Sequence, residues 1–365
     1  MTKKIIDKNL EVKTSIGEAN IKFYDSRWEP FEIYGLYDPK REPAFKRLPD
    51  EIGLNVNDGV SFLYLHTAGG RLRFATDSPY VAIKAELHQT CRFPHMTLLT
   101  STGFDLYEDT PSGISTYRGS FMPPYNVSDS YESVVYVGSR EERKLRYYTV
   151  NFPAYGGVVN LYVGLENGSS LEGGLRYKNE LPVIYYGSSI TQGGCASRPG
   201  TIYQNFISRS LNMDYINLGF SGSGRAEDSI VDYMCSMEMC AFVSDYDHNA
   251  PSPEYLRDTH LKMYRKIRAA HPDIPYIMLS RPDFDFNYDD SVLRRNVIID
   301  TYRYARESGD MNAYYIDGES LFRGEFEDAC TVDRTHPNDL GFALMAKAIE
   351  CELKRALMRE DYTKY

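Results

Sequence analysis

From residue 183 onward the chain alternates short β-branched or aromatic runs with amphipathic helical spacings, and this alternation restricts its fold more than any other feature. The runs cover residues 183–186, 215–220, 240–244, 275–280 and 313–317. Helical periodicity fills the gaps. One helix runs through Ile202, Phe206, Ile207 and Leu211, and another spans roughly residues 227–237. Ser252 can cap a third, with Pro253 at its first position and its apolar face on Leu256, Met263 and Ile267. A fourth covers residues 290–307, and a last one carries Phe342, Met345, Ile349, Leu353 and Leu357 on one face. Strands joined by helical crossovers lie parallel and need cover on both sides. The expected class is therefore α/β, a three-layer α/β/α sandwich around a five-stranded parallel sheet, with functional loops at the strands' carboxyl ends.

The first half has a different grammar. Short β-rich runs at residues 31–36, 60–65, 71–74, 80–85, 96–100, 133–137, 146–150 and 158–165 are broken by turn residues such as Ala68-Gly-Gly70 and Asp77-Ser-Pro79. This spacing predicts an all-β, jelly-roll-like sandwich. Residues 120–136, rich in Tyr, Pro and Ser, read as a long connection. Within Gly103-Phe-Asp-Leu-Tyr107, Phe104 and Leu106 face one way and Asp105 and Tyr107 the other, as in a half-buried strand after a glycine turn. A polar stretch at residues 176–180 separates the two patterns. With 365 residues, too many for one ordinary core, two domains are expected, 1–178 and 179–365.

Charge and cysteine content narrow the function. A formal net charge of -10 opposes a phosphate-binding surface, which argues against nucleic acid as a partner. No apolar run reaches the roughly 18 residues of a membrane helix. Met1-Thr-Lys-Lys-Ile-Ile-Asp-Lys8 begins with positive charge, but Asp7 and Lys8 interrupt the apolar core a signal peptide needs, so the cytoplasm is the expected location. Six cysteines without framework spacing read as reduced thiols, and Cys235 and Cys240, five apart without paired histidines, do not suggest a metal site. The 31 tyrosines fit sheet surface and core, or sugar-stacking platforms for some of them.

The strand ends carry the chemistry. The first run stops at Gly187-Ser-Ser189, where a tight turn holds a small hydroxyl outward; Ser189 there can be a nucleophile if a base stands beside it, or Ser188 and Ser189 can simply cap the next helix. The second run delivers Gly219-Phe-Ser-Gly-Ser-Gly224, in which Gly222 allows close backbone approach to a ligand or merely turns the chain. The third delivers Asp245-Tyr-Asp-His-Asn249, where Asn249 can offer amide donors. After the fifth come Asp333 and His336, three apart, which one turn can bring near Ser189, although His336 also simply precedes Pro337 before the final helix.

Taken in order, Gly187-Ser-Ser189, the Gly222 turn, Asn249 and Asp333-x-x-His336 resemble the four blocks of the SGNH hydrolases, the GDSL-type esterases. Gly103-Phe-Asp-Leu-Tyr107 resembles the Gly-x-Asp-Leu-Tyr signature of the β-rich domain preceding one branch of them. The resemblance implies a flavodoxin-like catalytic domain, Ser189 as nucleophile, His336 as base, Asp333 as its orienting carboxylate, and no cofactor. It also implies an oxyanion hole from the Ser189 and Gly222 N–H groups and the Asn249 side chain. Two positions depart from the pattern: Ser188 replaces the aspartate of Gly-Asp-Ser, and the third block lacks Gly-x-Asn-Asp, Ala250 following Asn249 with His248 beside it.

The implied activity is hydrolysis of O-acyl esters, O-acetyl groups on oligosaccharides first among them, a small-molecule substrate consistent with an acidic, tyrosine-rich chain. Two rivals stand beside it. One is an acyltransferase that uses the same three residues with an alcohol acceptor, and the other is a carbohydrate-binding protein without activity.

Overall fold

The protein is described by a computed structural model covering residues 16–18, 20–324 and 326–362. The Met1–Lys8 stretch, on which the leader-sequence argument turns, lies outside the described residues. Among them no helix is long and apolar enough to cross a membrane.

The chain forms two compact units. The first holds residues up to Arg47, Leu65–Tyr177 and the short excursion Ser197–Gly200; the second holds Leu48–Tyr64, Lys178–Ala196 and Thr201 onward. The first unit is built from two antiparallel sheets. One orders its strands Ile21–Asp25, Gly157–Glu166, Tyr80–Gln89, Ser130–Tyr136. The other orders them Leu171–Gly173, Arg71–Thr76, Arg146–Asn151, Phe104–Asp109, Ser115–Phe121, with Glu32–Tyr34 also paired to Arg71–Thr76. Alternation explains the core between them: Leu72, Phe74, Leu106 and Val150 from one sheet meet Val81, Ile83, Leu161 and Val163 from the other, all fully buried.

Two β-rich runs became helices. Residues 60–65 contribute to the helix Asp58–Leu63, because Asn57 caps it by accepting from the Val60 N–H and burial recurs at Val60 and Leu63 while Phe62 stays exposed. Residues 96–100 likewise enter the helix Leu98–Thr102, capped by Thr97 and stopped at Gly103. In both, a local cap outweighs β propensity. The long connection expected over residues 120–136 is shorter, since Ser130–Tyr136 pairs with Tyr80–Gln89.

In the second unit five strands run parallel in the order Met213–Gly219, Asn179–Gly187, Ala241–Asp245, Tyr276–Leu279, Ala313–Ile316. Helices Tyr203–Leu211, Asp228–Ser236, Pro253–Ala270, Tyr288–Glu307 and Asp339–Tyr362 cross between strands or close the layer. The last helix buries Phe342, Met345, Ile349 and Leu353 in the same core as Val183, Tyr185, Val243 and Ile277. Register matters most at the top: Gly187 lies beside both Gly219 and Asp245, so three strands end level.

Candidate functional site

Ser188 and Ser189 divide their work at the end of Asn179–Gly187. Ser188 caps the short helix Ser189–Gln192, its hydroxyl accepting from the Ile190 N–H at 3.1 Å. The capping role is thus filled, and Ser189 is left for another. The turn is tight because Gly187 has no side chain: a Cβ there would lie 2.2 Å from Thr191 Oγ1 and 2.3 Å from the Asp245 carbonyl oxygen.

The Ser189 Oγ lies 2.9 Å from His336 Nε2, and His336 Nδ1 lies 2.8 Å from Asp333 Oδ2. Asp333 Oδ1 accepts from the backbone N–H groups of Thr335 and His336, at 3.1 and 2.7 Å. Partial burial would raise the Asp333 pKa, but the His336 N–H and imidazole outweigh it and hold the carboxyl below its ordinary value. An ionised carboxylate only accepts hydrogen bonds, so His336 Nδ1 carries the proton and Nε2 is left as acceptor for the Ser189 hydroxyl. That is the tautomer a general base needs. Val332 N–H bonds back to the His336 carbonyl, closing the turn, and Asn338 caps the final helix beyond it.

The second strand end turns at Gly222, whose φ of +68° is left-handed backbone that glycine adopts freely. The Phe220 carbonyl gathers this loop, accepting from the N–H groups of Ser223 and Gly224 and from Asn249 Nδ2 at 2.9 Å. An amide nitrogen has two hydrogens, so Asn249 keeps a second donor after serving Phe220. The Gly222 N–H donates to no protein acceptor among the described residues. His248, the other histidine of this neighbourhood, pairs with Asp283 at 3.0 Å.

Several supporting residues were not foreseen. Asn57 donates to the Ser223 carbonyl at 2.9 Å and to Glu227 at 2.6 Å, bracing the Gly222 loop from the Leu48–Tyr64 stretch. Its signal was present as a helix cap, but the strand reading of residues 60–65 hid it. In the first unit, Asp105 of the Gly-x-Asp-Leu-Tyr motif is fully buried. It accepts from the Gly200 N–H at 2.8 Å and from Asn151 Nδ2 at 2.7 Å, and pairs with Arg198 at 3.5 Å. Tyr107 accepts from Arg198 at 3.1 Å. The motif therefore grips Ser197–Gly200, a segment that follows the Ser189 turn along the chain.

Comparison with known proteins gives the family of the chain. Residues 180–354 match the GDSL-like Lipase/Acylhydrolase family, and residues 21–171 match the N-terminus of Esterase_SGNH_hydro-type. A candidate GDSL-like lipase from Bacteroides ovatus ATCC 8483 superposes with a TM-score of 0.82 at 27% identity, covering 93% of this chain and 98% of its own. The salicylyl-acyltransferase SsfX3 of a tetracycline biosynthetic pathway has a TM-score of 0.72 at 19% identity, covering 92% and 97%. An acetyl xylan esterase from the rumen bacterium Butyrivibrio proteoclasticus has a TM-score of 0.57 at 13% identity, covering 93% and 99%. No curated protein matches the sequence. The two family matches, in tandem and in the order the motifs require, make this chain a member of the SGNH (GDSL-type) hydrolase superfamily, in the branch with a Gly-x-Asp-Leu-Tyr amino-terminal domain.

Proposed function

We propose that the protein is a serine esterase that removes O-acyl groups, O-acetyl above all, from carbohydrates through Ser189, His336 and Asp333. The observation that carries this reading is the unbroken contact from hydroxyl to imidazole to carboxylate, at 2.9 and 2.8 Å. Ser189 Oγ attacks the ester carbonyl carbon as His336 Nε2 takes its proton, and Asp333 stabilises the imidazolium. The tetrahedral oxyanion accepts hydrogen bonds from the Ser189 and Gly222 N–H groups and the Asn249 amide. Collapse expels the alcohol oxygen, which receives the proton from Nε2, and leaves an acyl group on Ser189. Water then attacks that acyl carbon, His336 taking its proton, and Ser189 leaves with the proton returned, releasing a carboxylic acid.

The carbohydrate assignment draws support from acetyl xylan and other carbohydrate esterases among the structural relatives. The acyltransferase relative supports a second reading, in which an alcohol replaces water in the second attack. Acetate release from a panel of acetylated oligosaccharides, with Ser189→Ala as control, tests the first reading. Adding acceptor alcohols and looking for a new ester in place of free acid tests the second. Turnover of simple aryl acetates but of no acetylated sugar would keep the esterase and overturn the carbohydrate assignment. No release by the wild-type protein above the Ser189→Ala control, from sugar or aryl acetate, would overturn the catalytic reading and leave a carbohydrate-binding protein.

A further inference from the structure

The loop that carries Asn249 lacks the family's Gly-x-Asn-Asp, and what holds it instead is a closed, mostly buried ring of charge. His248 Nε2 lies 3.0 Å from Asp283 Oδ1. Asp283 receives both Nε and Nη2 of Arg281 at 2.9 Å. Arg281 reaches Asp290 through Nη1 at 3.3 Å, and Asp290 accepts from Arg294 Nε at 2.6 Å. Arg294 Nη1 closes the ring by donating to the carbonyls of Asp247 and Ala250, the latter at 2.8 Å. Those two carbonyls flank His248 and Asn249. The Arg281 N–H also donates to Asp247 Oδ2 at 3.0 Å. Asp247, Arg281, Asp283 and Arg294 are all more than nine-tenths buried.

We infer that this ring is the positioning device for the Asn249 amide, and that it works with His248 as an imidazolium. The inference rests on Asn249 being an oxyanion donor, as proposed above. Charge balance supplies the second half. Around the ring the carboxyl groups of Asp247, Asp283 and Asp290 outnumber the guanidinium groups of Arg281 and Arg294, an excess that favours a proton on His248. The charged and titratable groups facing His248 are Asp283, Arg281 and Asp247, with Asp245 at the strand end behind it. Burial, the largest single influence, would lower the His248 pKa, but the attraction and hydrogen bonding of Asp283, with Asp247 adding to them, together raise it. At neutral pH the ring is therefore closed and balanced. As pH rises and His248 loses its proton, Asp283 loses a charged partner and the loop loses one of its three ties.

The test is a double-mutant cycle on an aryl acetate. His248→Gln keeps a donor for Asp283 but not the charge. It should lower kcat about tenfold at neutral pH with KM unchanged, and remove the alkaline decline in kcat expected of the wild-type enzyme. Arg294→Met should lower kcat by a similar or larger factor. In an Asn249→Ala background, both substitutions should change kcat less than twofold, because they act through that side chain. Folded His248→Gln protein with wild-type kcat and pH profile would overturn the inference, as would an equal loss with and without Asn249. Should Arg294→Met fail to fold, His248→Gln decides alone. Full activity of Asn249→Ala by itself would instead strike the oxyanion assignment, a separately readable failure.

Discussion

The turn bearing Asp333 and His336 secures its side chains with three hydrogen bonds made inside four residues, at a partly exposed position. Residues 247–250, at another strand end of the same unit, are secured by Arg281, Asp283, Asp290 and Arg294, tens of residues away and mostly buried. The first arrangement is cheap and local: an exposed ion pair adds at most about 1 kcal/mol. The second is costly to build and costly to break, since removing one partner of a buried pair costs roughly 3–5 kcal/mol. A base must accept and release a proton each cycle, and a partly solvated turn suits that. A donor that must meet an oxyanion at fixed distance gains from immobility, and a buried ring provides it.

The largest expected effects fall on the local turn. Ser189→Ala and His336→Ala should each lower kcat on an aryl acetate by about 10⁴-fold or more while leaving thermal unfolding unchanged. Asp333→Asn should cost less, roughly 10³-fold, because water can partly replace a carboxylate that is itself partly exposed. An Asp333→Asn variant as inactive as Ser189→Ala would mean the turn is less forgiving than its exposure implies. Next comes the buried loop: Asn249→Ala should lose about 10²–10³-fold in kcat with KM little changed. If that variant also lost several degrees of melting temperature, its bond to the Phe220 carbonyl would be carrying more than orientation.

The same contrast decides what could be read from the sequence. Asp333 and His336 are three residues apart, and backbone N–H groups two and three residues on complete the carboxylate's partners, so the turn is legible as text. The strand and helix alternation of residues 183–357 is legible for the same reason, each element announcing itself through local period. Arg281, Asp283 and Arg294 look like ordinary surface charges until the crossover from Tyr276–Leu279 into Tyr288–Glu307 folds them inward, with Asp290 at its rim. His248 stands out in the sequence only as the neighbour of Asn249 in a block that lacks Gly-x-Asn-Asp. Residues 60–65 failed in the opposite sense: their β-formers were visible, but the Asn57 cap and its hold on Ser223 and Glu227 prevailed.

The effect expected to touch turnover least, and the most diagnostic of the buried strand end's cost, concerns pH and stability. Asp245 ends its strand fully buried, with Thr191 donating to Oδ2 at 3.2 Å and Oδ1 without a hydrogen-bond partner among the described residues. Burial, with Asp247 adding repulsion, pushes its pKa up to about 8. Unfolded, the same group titrates near 4, so between about pH 4 and pH 8 the folded state holds a proton that the unfolded state has lost. Stability should therefore fall as pH rises through that window. Asp333 has the opposite sign: its depressed pKa adds stability above about pH 4 that disappears as pH falls. Asp245→Asn, which mimics the protonated carboxyl, should flatten the decline between about pH 4 and pH 8 and leave the fall below about pH 4 untouched. Urea unfolding at pH 5, 6.5 and 8 measures this, and parallel curves for variant and wild type would mean that Asp245 titrates normally and the strand end is wetter than its burial implies.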